Sequence, residues 1–197
     1  NLFHRNISNL IRGRVELENS VPWSQFPRWV RRQRNIGDAT TTGIELEAKM
    51  RLSDVVTDAP PVDLRANGSV FRSRVKQVPG PDNRLDQQPD YTANVGADYR
   101  VPGVPLTLGG NLNLTPAYAT RVSDTQAVSV SRKLVLDAYG LWVFSPTLQL
   151  RVTASNLAPS DYLTGNSIDD LAANIRETSL TTAPTYLNLQ FRLEIKL

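Results

Sequence analysis

The chain of 197 residues has no cysteine and a single histidine, His4. Disulfide scaffolds, zinc knuckles, cysteine nucleophiles and histidine-rich metal centres are excluded together. Long apolar runs are missing as well. The longest candidate, Leu134 to Phe144, is interrupted by Asp137 and Gly140 and falls short of the ~18 residues a membrane-spanning helix needs. Charge of one sign is not in excess: 22 Lys+Arg against 19 Asp+Glu leave +3. That is too slight to indicate nucleic acid, and no recognition module accompanies the basic residues. No low-complexity tract or fixed-length repeat is visible. Asn1 to Arg5 carries neither a basic nor an apolar leader, and Phe3 to Leu17 already reads as one strand, so an internal start is expected.

What is present is a two-residue alternation, punctuated by 13 prolines and 11 glycines that imply many turns. Tyr91, Ala93, Val95, Ala97, Tyr99 and Val101 alternate with Thr92, Asn94, Gly96, Asp98 and Arg100. Leu187, Leu189, Phe191, Leu193, Ile195 and Leu197 alternate with Asn188, Gln190, Arg192, Glu194 and Lys196. Segments Ile44–Leu52, Leu64–Val70, Leu106–Thr115 and Leu148–Ser155 follow the same rule. Successive side chains point to opposite faces of a strand, so each segment has one oily face and one polar face. The pattern predicts an all-β, antiparallel chain of about eight strands, each close to the length that crosses a bilayer at a slant.

The connections alternate in length. Val101–Val104, Phe144–Thr147 and Ser53–Pro61 are short, whereas Glu18–Arg34, Val78–Pro89, Pro116–Val130 and Ala158–Pro184 are long and polar. Along an antiparallel series this puts every short link at one end, as in transmembrane β-barrels with short periplasmic turns and long external loops. The residue choice favours lipid over a packed core behind the apolar face. Ala66, Gly68, Ala93, Ala97, Gly110 and Ala154 would fill a core poorly, while Tyr91 and Tyr99 bracket one strand as an aromatic girdle does. Eight residues rising ~3.3 Å each and tilted ~40° cover roughly 20 Å of membrane normal, close to the usual apolar band.

Three stretches resemble the C-terminal barrel of TonB-dependent outer-membrane receptors. Asn35 to Glu47 (NIGDATTTGIELE) is similar to a family strand of the form Asn, Gly, Ala, then Gly-Ile/Val-Glu. Leu148 to Leu157, followed by Asp161-Tyr162, resembles a penultimate strand ending in Asn-Leu. Tyr186 to Leu197 resembles the final alternating strand, and Phe3 to Ile11 an earlier phenylalanine-bearing one. Two departures stand beside these: the chain ends on Leu197 where family members commonly end on an aromatic residue, and Ala158-Pro159-Ser160 displaces the Asp-Tyr element.

The resemblance implies that residues 1–197 are the C-terminal part of a receptor barrel of about 22 strands, with no plug domain in this chain. It implies uptake of a scarce nutrient such as a ferric siderophore across the outer membrane of a Gram-negative cell. TonB would be the partner, engaged through an N-terminal region absent from this chain. No enzyme activity and no cofactor are implied. Two alternatives remain open on the residues alone: a complete small eight-strand outer-membrane barrel with a structural or adhesion role, and a soluble lipocalin-like binding barrel.

Candidate site residues concentrate in one loop. Trp23, Arg28, Trp29, Arg31, Arg32 and Arg34 combine guanidinium charge with indole faces. That combination suits an anionic nutrient, or the phosphates of lipopolysaccharide. Arg72, Arg74 and Lys76, at the outer end of their strand, point to lipopolysaccharide. Loop acids Asp169 and Asp170 are weaker candidates for calcium, and His4 with Ser8 for hydrolysis. Ser167 and Asp170 form a capping-box pattern that predicts a short helix over Ile168–Ile175.

Overall fold

The computed structural model describes residues 1–170 and 174–196. Among them the chain forms fourteen β-strands and one 3₁₀ turn, Leu52–Asp54. Numbered along the chain, the strands are β1 (Leu2–Ile7), β2 (Ile11–Glu18), β3 (Arg28–Asn35), β4 (Ala39–Arg51), β5 (Val62–Val75), β6 (Tyr91–Arg100) and β7 (Leu106–Thr115). They continue as β8 (Tyr118–Arg121), β9 (Gln126–Val130), β10 (Lys133–Ser145), β11 (Leu148–Ser155), β12 (Tyr162–Asp170), β13 (Ile175–Ala183) and β14 (Asn188–Ile195). Eight of them make one antiparallel sheet in the order β1-β4-β5-β6-β7-β10-β11-β14. The other six form a four-stranded sheet, β13-β12-β9-β8, and the hairpin β2-β3.

The large sheet follows directly from the alternation. Its strands pair so that apolar residues meet apolar residues in rows. Leu2 faces Ile44, Ile44 faces Val70, and Val70 faces Tyr91. Further along, Tyr99 faces Leu108, Leu108 faces Gly140, Gly140 faces Val152, and Val152 faces Phe191. A one-residue slip would invert every face, so this pattern itself holds the register. The apolar face is uncovered: Leu46 and Phe191 are each 70% exposed and Val95 54%.

The opposite face is polar and locked by side chains that reach across several strands. Arg65 of β5 pairs with Asp98 of β6, and the Tyr139 hydroxyl of β10 donates to the same carboxylate at 2.6 Å. The Arg151 guanidinium of β11 lies 4.8 Å from the Tyr139 ring centre. Gly109 makes this possible, because a Cβ there would collide with the Tyr139 ring and the Asp98 carboxylate.

Short and long connections segregate as expected. The links 52–61, 101–105 and 146–147 lie at one end, and 8–38, 76–90, 116–132 and 156–187 at the other. Pro102 and Gly103 form the tight 101–105 turn, with Gly103 in the left-handed region at φ 74°. Trp142 and Phe144, just before the 146–147 turn, have ring centres 6.2 Å apart, and a register shift between Val143 and Ser145 re-aims the strand end there.

Three expectations need correction. Phe3–Leu17 is not one strand. Asn9 adopts φ 56°, and the chain leaves the large sheet there, so that β2 pairs with β3 instead. Nor are the long polar connections merely loops, since they carry six strands of their own. Ile168–Ile175 forms no helix in its described part: Ile168–Asp170 ends β12, Ile175 begins β13, and Asp170 faces Ile175. Ser167 faces Thr178 across that hairpin, so its side chain is committed to a strand rather than to a cap; residues 171–173 lie outside the described residues. The large sheet is open among the described residues. Its order runs in a line from β1 to β14, leaving an edge on each. Leu197, expected at the end of the last strand, also lies outside the described residues.

The buried core sits at the long-loop end. Ala39, Val75 and Val78 are buried and packed against Ile7, Leu10, Ile36 and Leu85. The only other buried hydrophobic residues among those described are Val21 and Val122. None of the five lies within the apolar band of the large sheet.

Candidate functional site

The residues richest in polar chemistry gather over the long-loop end, where three excursions interlock on Arg12. Its side chain is 3% exposed. The guanidinium donates to the Arg84 carbonyl at 2.9 Å and the Val122 carbonyl at 3.2 Å, and it pairs with Asp86 at 3.0 Å. Burial lowers its affinity for its proton and the Asp86 carboxylate opposes that effect. The Arg121 amide donates to the Asp82 carbonyl at 2.7 Å, tying the same two loops directly. Tyr118, nearby, has its phenol pushed up first by burial and then by Asp86. The function of this knot is positional: it turns three separate connections into one platform.

On that platform stands the β2-β3 hairpin. Its register sets Glu18 opposite Arg28, Leu17 opposite Trp29, Glu16 opposite Val30, and Val15 opposite Arg31. Strand alternation therefore sorts the six candidate residues onto different surfaces. Arg28, Arg32 and Arg34 share one face with Glu16 and Glu18. Trp29 and Arg31 share the other with Val15 and Leu17. Trp23 lies in the connecting segment and is 65% exposed, beside Phe26 at 68%.

Charge on the first face is largely neutralised. Arg32 donates to both Glu18 carboxylate oxygens, at 2.6 and 3.0 Å, and Arg34 donates to Glu16 at 3.0 Å. The bond from Arg32 holds the Glu18 carboxyl below the usual carboxylate range. Arg14 bridges to Asp124 at 2.8 Å, linking the hairpin to the 116–132 excursion. Arg28 and Arg31 have no acidic partner among the described residues. Arg31 instead reaches over Gly13, into space a Cβ there would occupy. Four arginines and two tryptophans that look like one cluster along the chain are thus divided in space, and two of the arginines hold the hairpin together.

A second feature lies beside the platform. Thr40, Thr42, Arg72 and Arg74 line one wall of a cleft of about 790 Å³, and Arg84, Asp82 and Asp90 line the other. Arg84 bridges Asp90 at 2.8 Å and Asp82 at 3.4 Å. Arg72 and Arg74 are exposed and have no acidic partner among the described residues.

The minor candidates have structural occupations. The Nδ1 atom of His4 is 2.9 Å from the Thr42 hydroxyl. Asp169 accepts from Arg176 at 2.5 and 3.0 Å, which lowers its carboxyl pKa. No group of acids or histidines that would hold a metal ion is found among the described residues. Arg12, Arg84 and Asp86 escaped the sequence reading because no local pattern marks them. Arg12 sits in a strand-like stretch, and its partners lie more than seventy positions away.

Comparison with known proteins gives one match. Residues 1–157 match the family model described as TonB dependent receptor-like, beta-barrel. No curated protein and no solved structure matches the chain.

Proposed function

Since the chain belongs to the TonB-dependent receptor β-barrel family, we propose that it forms the C-terminal part of an outer-membrane receptor barrel that takes up a scarce nutrient. The family is one of outer-membrane receptors and transporters, and nutrient uptake with TonB is the work it implies. One observation of this chain carries the reading: eight consecutive wall strands expose a continuous apolar face, while the buried core is confined to the loop end. Water on the apolar face would leave it uncompensated; lipid satisfies it. The open edges of β1 and β14 support continuation of the wall by further strands, because an unpaired edge in lipid leaves backbone groups unsatisfied.

In this reading the polar face lines the interior and the loop platform meets the outside of a Gram-negative cell. The nutrient is an anionic chelate of the ferric siderophore type, contacted by Trp23, Arg28, Trp29 and Arg31. Arg32 and Arg34 act by holding the hairpin through Glu18 and Glu16. TonB coupling is assigned to no residue of this chain.

Two measurements test the proposal. The native protein in outer-membrane fractions, detected with an antibody to residues 174–183, should run several times larger than 21.9 kDa. A band near that mass would favour a complete small barrel with a structural role. Cells carrying Arg28→Ala with Arg31→Ala, which leave the Arg32–Glu18 and Arg34–Glu16 pairs in place, should take up less radioactive iron presented as ferric catecholate or hydroxamate. Unchanged uptake would remove the hairpin from ligand contact.

A further inference from the structure

The apolar band of the large sheet ends abruptly at β1, β4 and β5. Its last row there is Leu2, Ile44 and Val70, which are 72%, 49% and 60% exposed. The next outward-facing row, two residues further, is His4, Thr42 and Arg72, and the row after that is Asn6, Thr40 and Arg74. These two rows occupy about 7 Å of strand each. They contain hydrogen-bond donors, two guanidinium groups and no carboxylate. The nearest acids across the cleft, Asp82 and Asp90, are held by Arg84.

We propose that this patch binds the phosphate of an outer-leaflet glycolipid, whose acyl chains lie on Leu2, Ile44 and Val70. Three features converge on that occupant. The patch has the lipid-facing parity, not the interior one, because Phe71, Ser73 and Val75 of the same strand turn the other way. It begins where the apolar rows end, at the depth of a headgroup. Its unpaired charge is of one sign and forked, which matches a phosphate monoester. The cleft of about 790 Å³ beside Arg72 and Arg74 gives the headgroup room.

This inference rests on the outer-membrane reading above, and the test separates the two. The intact protein is extracted in mild detergent and offered bisphosphorylated lipid A, its dephosphorylated form, or inorganic phosphate. Retained molecules are counted by native mass spectrometry. Wild type should retain bisphosphorylated lipid A, and Arg72→Ala with Arg74→Ala should weaken retention roughly thirtyfold, from about one basic-residue contribution per arginine.

Dephosphorylated lipid should behave like the double variant, and inorganic phosphate alone should neither bind nor compete at equal concentration. Arg72→Lys with Arg74→Lys should recover part of the retention. An unchanged mobility difference between unheated and heated protein on gels shows that each variant is folded. Equal retention by wild type and the double alanine variant overturns the patch, as does full competition by inorganic phosphate. If wild type fails to fractionate with the outer membrane at all, the membrane reading itself falls, and the inference with it.

Discussion

Replacing Arg12 by methionine is the sharpest probe of the loop platform. Methionine keeps the apolar stem's volume and removes the donors. Two good hydrogen bonds are lost, to the Arg84 carbonyl at 2.9 Å and the Val122 carbonyl at 3.2 Å, each about 1.5 kcal/mol for a charged donor. A third contact, to the Arg121 carbonyl at 3.4 Å, is too long to add much. Asp86 is 53% exposed, so its pair with Arg12 contributes well under about 1 kcal/mol. The platform should therefore open more easily by about 3 kcal/mol. Hydrogen exchange reads this directly. Amides of residues 82–86 and 119–122, with Arg121 as the marker, should exchange about a hundredfold faster. Amides in β10 and β11 should be unchanged, because they share no partner with Arg12. Arg12→Lys should recover little, since one ammonium cannot reach two carbonyls and a carboxylate in the same fork. Unchanged exchange at Arg121, or a rise spread evenly through the wall, would refute the assignment of Arg12 as the local knot.

Other outcomes follow from the wall and the hairpin. Val95 stands midway between Tyr91 and Tyr99 on the apolar face, so Val95→Arg should cost about 2–4 kcal/mol in bilayer stability, measured by urea unfolding in lipid vesicles. Asn94→Arg, one residue away on the polar face, should change little; equal effects would place water on both faces. Gly109→Ala should destabilise the wall by about 1–3 kcal/mol through collision with Tyr139. Tyr139→Phe, losing one hydroxyl bond to Asp98, should cost about 1 kcal/mol in the same assay, and the reverse order would contradict the packing described.

Glu18 has a depressed carboxyl pKa because it accepts from Arg32. A group lowered in the folded state contributes stability above its unfolded pKa and loses it as pH falls through the folded one. The hairpin should therefore stay ordered at neutral pH and loosen only below the ordinary carboxylate range. Proteolysis within residues 19–27 by an acid-active protease should report this, and Glu18→Gln should abolish the pH dependence.

Much of the large sheet was readable in the chain because apolar and polar faces alternate every second residue. Tyr91 to Tyr99 and Leu189 to Ile195 announce both their strand state and their apolar or polar parity without reference to any neighbour. The end on which the short turns fall was readable for a similar local reason, since Pro102-Gly103 and Ser145-Pro146 carry turn chemistry in adjacent residues. The break at Asn9 was not. Ile11 to Glu18 has the composition of a wall strand, and only its pairing with Arg28–Asn35 removes it from the wall. Ile168 to Ile175 misled for the opposite reason: a Ser and an Asp at capping-box spacing lost to the ladder of hydrogen bonds with β13.

By itself, then, the sequence determined which residues share the apolar face and which the polar face, because that choice is written in single strands with period two. Partnership was decided only by tertiary structure. Arg32 and Arg34 look available beside the tryptophans until Glu18 and Glu16 are brought across from β2. Arg12 looks ordinary until Arg84, Asp86 and Val122 close around it. Arg72 and Arg74 stand out as basic residues at a strand's outer end in the sequence, but only the fold aligns His4, Thr42, Asn6 and Thr40 beside them. Charge is a property of a residue, but whether it is spent or free depends on which distant acid the fold carries within about 4 Å.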